Sequence, residues 1–194
     1  VPILEGARLL AKGFLMASDA DLPQTRLSRS IDYFLTRLGA WVSLIWLALL
    51  AVIVVNVMLR YLFNEGRIEL EDLQWHLYSI GFLLGLSYAY QADTHIRVDV
   101  VHERLSPRAR AWIELYGIVL FLAPFITLVL VYSVPFVVSS FNLSEQSPSP
   151  GGLPMRWFIK AFLPIGFALL ALAVFSRLTR VWALLFLTGA KHGR

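Results

Sequence analysis

The chain has 194 residues, 58% hydrophobic and only 15% charged, with a formal net charge of +4. That leaves little material for a soluble domain beside the apolar segments, and the absence of cysteine excludes disulfides, iron–sulfur clusters and thiolate metal sites. The basic residues form no single face apart from the borders of the apolar runs, so nucleic-acid binding is the poorer account of the charge.

Residues 3–17 set Ile3, Leu4, Leu10, Phe14 and Leu15 among Glu5, Arg8 and Lys12 at roughly helical spacing. Charges inside the stretch argue against a secretory h-region. Two readings stand: an amphipathic helix lying on the membrane surface, or a loosely ordered leader. Asp19 to Ser30, with Pro23, reads as a linker that completes an N-terminal segment over 1–30. Ser28 or Ser30 is expected to cap a short helix through Asp32, Tyr33, Phe34 and Arg37 that leads into the first apolar run.

Four such runs follow. Leu38–Leu59 is 22 residues without Asp, Glu, Lys or Arg, Leu73–Ala92 is 20 and Leu115–Val138 is 24, while Trp157–Ser176 is 20 with Lys160 alone. A hydrocarbon core about 30 Å thick needs about 20 helical residues, so each is long enough to cross. The expected fold is an all-α integral membrane protein with four transmembrane helices, at about 38–60, 73–92, 112–138 and 157–177. Residues 31–178 form the membrane domain and 179–194 a cytoplasmic or interfacial tail, with 181–190 either prolonging the last span or folding onto the leaflet. Gly81 and Gly85 share one face of the second run, where a neighbouring helix can approach closely. In the third, Pro124 is expected to kink the helix and Pro135 to mark its outer end. Ser139–Pro154, rich in Pro and Gly, reads as an irregular external loop.

Sidedness follows from the basic residues. Thirteen of the 17 precede the first run, lie between the second and third, or follow the fourth; Arg60, Arg67, Arg156 and Lys160 border the other two loops. Both termini and the central loop are therefore expected in the cytoplasm.

The polar residues exclude more than they offer. His76 and His95 stand 19 residues apart, roughly 28 Å along a helix, so they cannot share a haem. A self-sufficient pump would place ionisable groups near mid-membrane, yet Asn56, Gln74, His76 and Gln91 all lie toward helix ends. Any solute pathway should then belong to another chain. Glu71 and Asp72 open the second run, where the helix dipole favours acids; pairing with a basic group on a partner helix is the alternative. Between 91 and 100 polar and apolar residues alternate, so Arg97 can pair with Asp93 or Asp99.

Arg60-Tyr61-Leu62-Phe63-Asn64 after the first run, Glu71-Asp72-Leu73 with Trp75 opening the second, Leu84-Gly85 within it, and above all His95-Ile96-Arg97-Val98-Asp99-Val100 resemble the small permease subunit, DctQ type, of tripartite ATP-independent periplasmic (TRAP) transporters. The resemblance covers about residues 31–178. Glu71 is followed by Asp72 where the family pattern has paired Glu, a conservative departure. It implies a non-enzymatic subunit of the bacterial inner membrane that scaffolds a large permease subunit (DctM type) in sodium-driven uptake of an organic acid or similar small solute. The solute would be delivered by a periplasmic binding protein, and the sodium sites would lie in the large subunit, with no cofactor in this chain. Under the resemblance Arg60, Tyr61, Asn64, Glu71, Asp72, Trp75, Gly85, His95, Arg97 and Asp99 are motif and subunit-interface candidates. Glu69, Glu145 and Arg156 are candidates for docking the binding protein, and membrane lipid is a further partner. The alternatives are a membrane anchor of a respiratory or redox enzyme and a free-standing small transporter.

Overall fold

Thr25 starts the first helix. Its hydroxyl accepts the Ser28 N–H at 3.1 Å while the Ser28 hydroxyl accepts the Thr25 N–H at 3.1 Å, a reciprocal capping box. From there α1 (Arg26–Phe63) runs unbroken for 38 residues to Asn64, whose left-handed backbone (φ 53°) ends it. The separate short helix expected from a cap at Ser28 or Ser30 is therefore not formed, because the cap lies upstream of both serines. Ser28, Leu35, Val42, Leu49 and Asn56, each seven residues from the next, are its buried stripe. That period keeps one narrow seam against neighbouring helices.

The computed structural model describes residues 23–93 and 105–187, and among these it contains helices and no strand. Four residues after α1, α2 (Ile68–Gln91) begins with Glu69 and Glu71 in its first turn, where the dipole stabilises negative charge. Next, α3 (Pro107–Gly117) is capped by the Ser106 hydroxyl, which accepts the Ala109 N–H at 3.3 Å, with proline at the first turn. It widens into a π-helical turn at Ile118–Leu122 and continues as α4 (Ala123–Asn142). The wide turn abuts Pro124, and the Ala123 N–H reaches back to the Ile118 carbonyl, so local rewinding accommodates the residue that has no N–H to give. Pro135 does not end this helix, as expected from sequence; it lies inside α4, which runs on to Asn142. The irregular loop is correspondingly shorter, 143–155. The last helix, α5 (Arg156–Trp182), contains Pro164 and passes into a second π-helical turn at Ala183–Leu187, so the helix extends beyond Ser176 without a break. Pro164, like Pro124, therefore lies deep within an apolar run.

Three rods, Arg26–Phe63, Arg108–Asn142 and Arg156–Leu187, are long and apolar enough to cross a membrane. At 24 residues α2 has the length as well, about 36 Å, but Gln74, His76, Gln91 and its tyrosines dilute its apolar character. Antiparallel succession puts the start of α1 and the end of α5 together at one end of the bundle, here the terminal end, with loops 64–67 and 143–155 at the other, the loop end.

The centre of the bundle is α5, which touches α1, α2, α3 and α4. Phe167, Leu170 and Val174 of α5 meet Ile118 and Ile126, with Leu83, Leu86 and Tyr90 of α2 packed against them. Gly166 makes this possible, since a Cβ there would lie 2.7 Å from the Leu83 carbonyl oxygen. Gly39 serves α1 in the same way, for a Cβ would stand 2.5 Å from the Tyr88 ring. The close-approach face expected at Gly81 and Gly85 is not the tight one. A Cβ at Gly81 would meet Trp46 at an ordinary 3.4 Å, and Gly85 faces open space. Outward, α1 and the α3–α4 rod present large apolar side chains such as Trp41 (66% exposed) and Phe121 (75%).

Candidate functional site

One turn of α5 fastens the terminal end. The Ser176 hydroxyl donates to Asp32 Oδ1 at 2.7 Å, and the Arg180 guanidinium donates to Asp32 Oδ2, tying α5 to α1. The Arg177 Nε donates to Glu114 Oε1 of α3 at 2.5 Å, and its Nη2 lies 3.4 Å from Asp93 Oδ2 at the end of α2. Thr179 adds a hydroxyl contact to Thr25 at 3.3 Å. Helical spacing of i, i+1, i+3 and i+4 thus distributes four side chains of one turn over three neighbouring elements. Both arginine side chains are deeply buried, at 8% and 4% exposure, and such charges are tolerable only when paired with good geometry. Beside Arg177 a cleft of about 330 Å³ opens between α2, α3 and α5. Among the described residues Arg110, Arg177, Asp93 and Glu114 line it, two charges of each sign.

The loop end is tied by carboxylates acting on the 143–155 segment. Asp72 Oδ2 accepts the Leu153 N–H at 2.9 Å, and the Gly152 backbone packs so closely on Asp72 and Ser147 that no Cβ fits. The Ser147 hydroxyl, and after it the Leu153 N–H, His76 and Arg156, hold the Asp72 carboxyl below its ordinary pKa against the opposing effect of desolvation. Glu145 accepts from the Lys160 ammonium and from the Ser140 hydroxyl (2.7 Å), and Arg156 stands 3.8 Å away. Lys160 first, then Ser140, push the Glu145 pKa down. Lys160 also sits 4.1 Å above the Phe136 ring, which binds its cation through the ring face. His76 Nδ1 lies 2.6 Å from the Asp72 carbonyl oxygen.

Between the two ends the polar groups are spent on the helices themselves. Ser87, Thr127 and Ser133 donate to carbonyls three or four residues back in their own helices. Nearer the loop end, Asn56 Oδ1 and Gln74 Nε2 are buried without a hydrogen-bond partner in the described part of the chain.

The candidate residues separate accordingly. Arg60 and Glu71 come together as an ion pair at 2.5 Å, about half exposed, which realises the pairing alternative for Glu71 within the chain itself. Asn64 is the left-handed cap of α1, and Asp72 is turned inward to the loop. Tyr61 (77% exposed) and Trp75 (69%) face outward, Glu69 is exposed, and Gly85 meets nothing. Glu145 and Arg156 pair with each other and shape the loop. His95, Arg97 and Asp99, with the alternating segment 94–100, the interfacial segment 3–17 and the tail from 188, lie outside the described residues.

Residues 49–184 match the family described as tripartite ATP-independent periplasmic transporters, DctQ component. The chain belongs to the DctQ family. This DctQ chain is therefore a membrane-embedded TRAP transporter component, not a member of an enzyme family, and the redox-anchor alternative is not favoured. No curated protein and no solved structure gives a significant match.

Sequence reasoning missed the charged residues that tie the terminal end of this DctQ bundle: Asp32, Glu114, Arg177 and Arg180. The two arginines were counted only as basic border residues. The available signal was that both lie within one helical turn after an apolar run that carries no stop, at the same end as the carboxylates of Asp32, Asp93 and Glu114.

Proposed function

We propose that this chain is the small permease subunit that scaffolds the large transport subunit of a TRAP system in a bacterial inner membrane. In this reading α2 is a fourth span, both termini are cytoplasmic, and segments at the termini lie in the interface. The large subunit carries the sodium and substrate sites, a periplasmic binding protein delivers an organic acid or similar small solute, and this chain holds no cofactor.

One observation carries the reading: among the described residues, the ionised groups turned into the bundle are consumed by one another. Asp32 is matched to Arg180, Arg177 to Glu114 and Asp93, and Glu145 to Lys160, all at the bundle ends. A cargo site needs groups free to exchange water for ligand, and an intramembrane pathway needs them near mid-depth. The chain offers instead a rigid apolar plate, fastened at both ends, whose outward faces suit a protein neighbour. The thirteen-to-four bias of basic residues supports the orientation. At the loop end, exposed Glu69, which has no ion pair among the described residues, is an acid available for contact with a binding protein, while Glu145 and Arg156 fix the loop beside it.

Affinity purification of the tagged chain from its native membrane in mild detergent tests the proposal. A many-span protein in a one-to-one ratio is expected; recovery of the chain alone, or with a haem protein, contradicts it.

A further inference from the structure

The exposed side of the first three turns of α1 carries cations that no described carboxylate answers. Arg26, Arg29 and Arg37 are all exposed, and none forms an ion pair among the described residues. At 100° per residue they fall, with Tyr33, within about 80° of arc. Asp32, the acid of this stretch, points the other way, to Arg180. Arg37 leans back along the helix and donates to the Tyr33 hydroxyl at 3.2 Å, as long side chains on helices do. Its guanidinium thereby stands at the level of Tyr33, four residues from Arg29, a gap of about 6 Å along the axis. A phosphate group bridges such a gap.

Directly below, the same face turns apolar and stays so. Ala40, Leu44 (50% exposed), Leu47 (64%), Ala51 and Val55 (48%) continue the line, with Trp41 beside it where the polar part ends. From Ala40 to Ala51 is roughly 16 Å, about half of a 30 Å hydrocarbon core. Exposed arginines without a described carboxylate partner above an exposed apolar stripe, joined by a Trp at the border, match the two halves of a phospholipid.

We propose that this face of α1 is a binding site for an anionic phospholipid, with the phosphodiester held by Arg29, Arg37 and the Tyr33 hydroxyl, Arg26 adding attraction, and an acyl chain along Leu44, Leu47 and Val55. A protein occupant is the poorer fit. The arginines lie ahead of residue 49, where the family match begins, so the match itself ties them to no subunit contact. The site needs only that α1 crosses a membrane, and it stands whether or not the scaffold reading holds.

Native mass spectrometry of the purified full chain, titrated with phosphatidylglycerol or phosphatidylcholine of equal chain length, tests it. Phosphatidylglycerol is expected to bind more tightly. Arg26→Gln, Arg29→Gln and Arg37→Gln together should weaken it on the order of 100-fold, at roughly fivefold per arginine, and leave phosphatidylcholine unaffected. The triple Arg→Lys variant should retain most of the preference, and Arg60→Gln, at the loop end, all of it. Equal binding of the two lipids, or undiminished phosphatidylglycerol binding by the Gln variant, overturns the site. Binding of free glycerol phosphate as tight as the lipid overturns it too. So does loss of a co-purifying protein from the Gln variant with lipid binding intact.

Discussion

Asp32→Ala separates a bundle fastened by buried charge from one held by apolar packing alone. Asp32 accepts from Ser176 at 2.7 Å and from Arg180, and the two ionised side chains are 14% and 4% exposed. Removing the carboxylate takes from a buried guanidinium its ion-pair partner, a change that costs about 3–5 kcal/mol when a buried pair is broken on one side. Were the pair solvated at the membrane surface, the cost would be about 0–1 kcal/mol. The difference is large enough to read. Equilibrium unfolding in mixed micelles with increasing denaturing detergent, followed by helicity, gives the free energy directly. Asp32→Ala and Arg180→Met should each fall in the larger range. The double variant Asp32→Leu/Arg180→Met should recover most of the loss, because no uncompensated charge remains. Single losses below about 1 kcal/mol, or a double-variant loss equal to the sum of the singles, would refute the claim that this pair is buried and coupled.

Other outcomes follow from the same geometry. Gly166→Ala should destabilise the bundle by about 1–3 kcal/mol in that assay, since its Cβ meets backbone, whereas Gly85→Ala should be tolerated. Asn56→Leu extends the seam of Leu35, Val42 and Leu49 and removes an unanswered acceptor, so it should be neutral or stabilising; a loss of more than about 1 kcal/mol would mean that the amide has a partner. The 143–155 loop should be acid-sensitive. Asp72 and Glu145 have lowered pKa values, so their contribution is complete above the ordinary carboxylate range near pH 4 and disappears as pH falls through the lowered values. Protease resistance of the loop should therefore be flat from pH 8 to about 5 and drop only in stronger acid, while Asp72→Asn should be cleaved readily at pH 7.

The rods themselves were legible because a membrane imposes a length and a composition that any reader can count. What the sequence hid is which rods are neighbours. Arg180 and Asp32 are 148 positions apart, and nothing in their local surroundings names the other. The glycine spacing misled for the same reason: Gly81 and Gly85 share a face, but only the position of the next helix decides whether a glycine is needed, and the tight contacts fall at Gly39 and Gly166. Pro135 was read as a stop because proline usually is one, yet the helix continues past it to Asn142. Of the motif residues, Arg60 and Glu71 were brought together; the contribution of Asp72 became clear only with Ser147 and Gly152 folded back onto it.

The central claim is that the described bundle spends its inward-facing charge on its own architecture and leaves none within the membrane for a cargo. Proteoliposomes containing the purified chain alone, under an inward sodium gradient and offered a panel of radiolabelled small organic acids, put it to the test. The account predicts uptake no greater than in empty liposomes for every acid. Saturable, sodium-dependent accumulation of any one of them would contradict it.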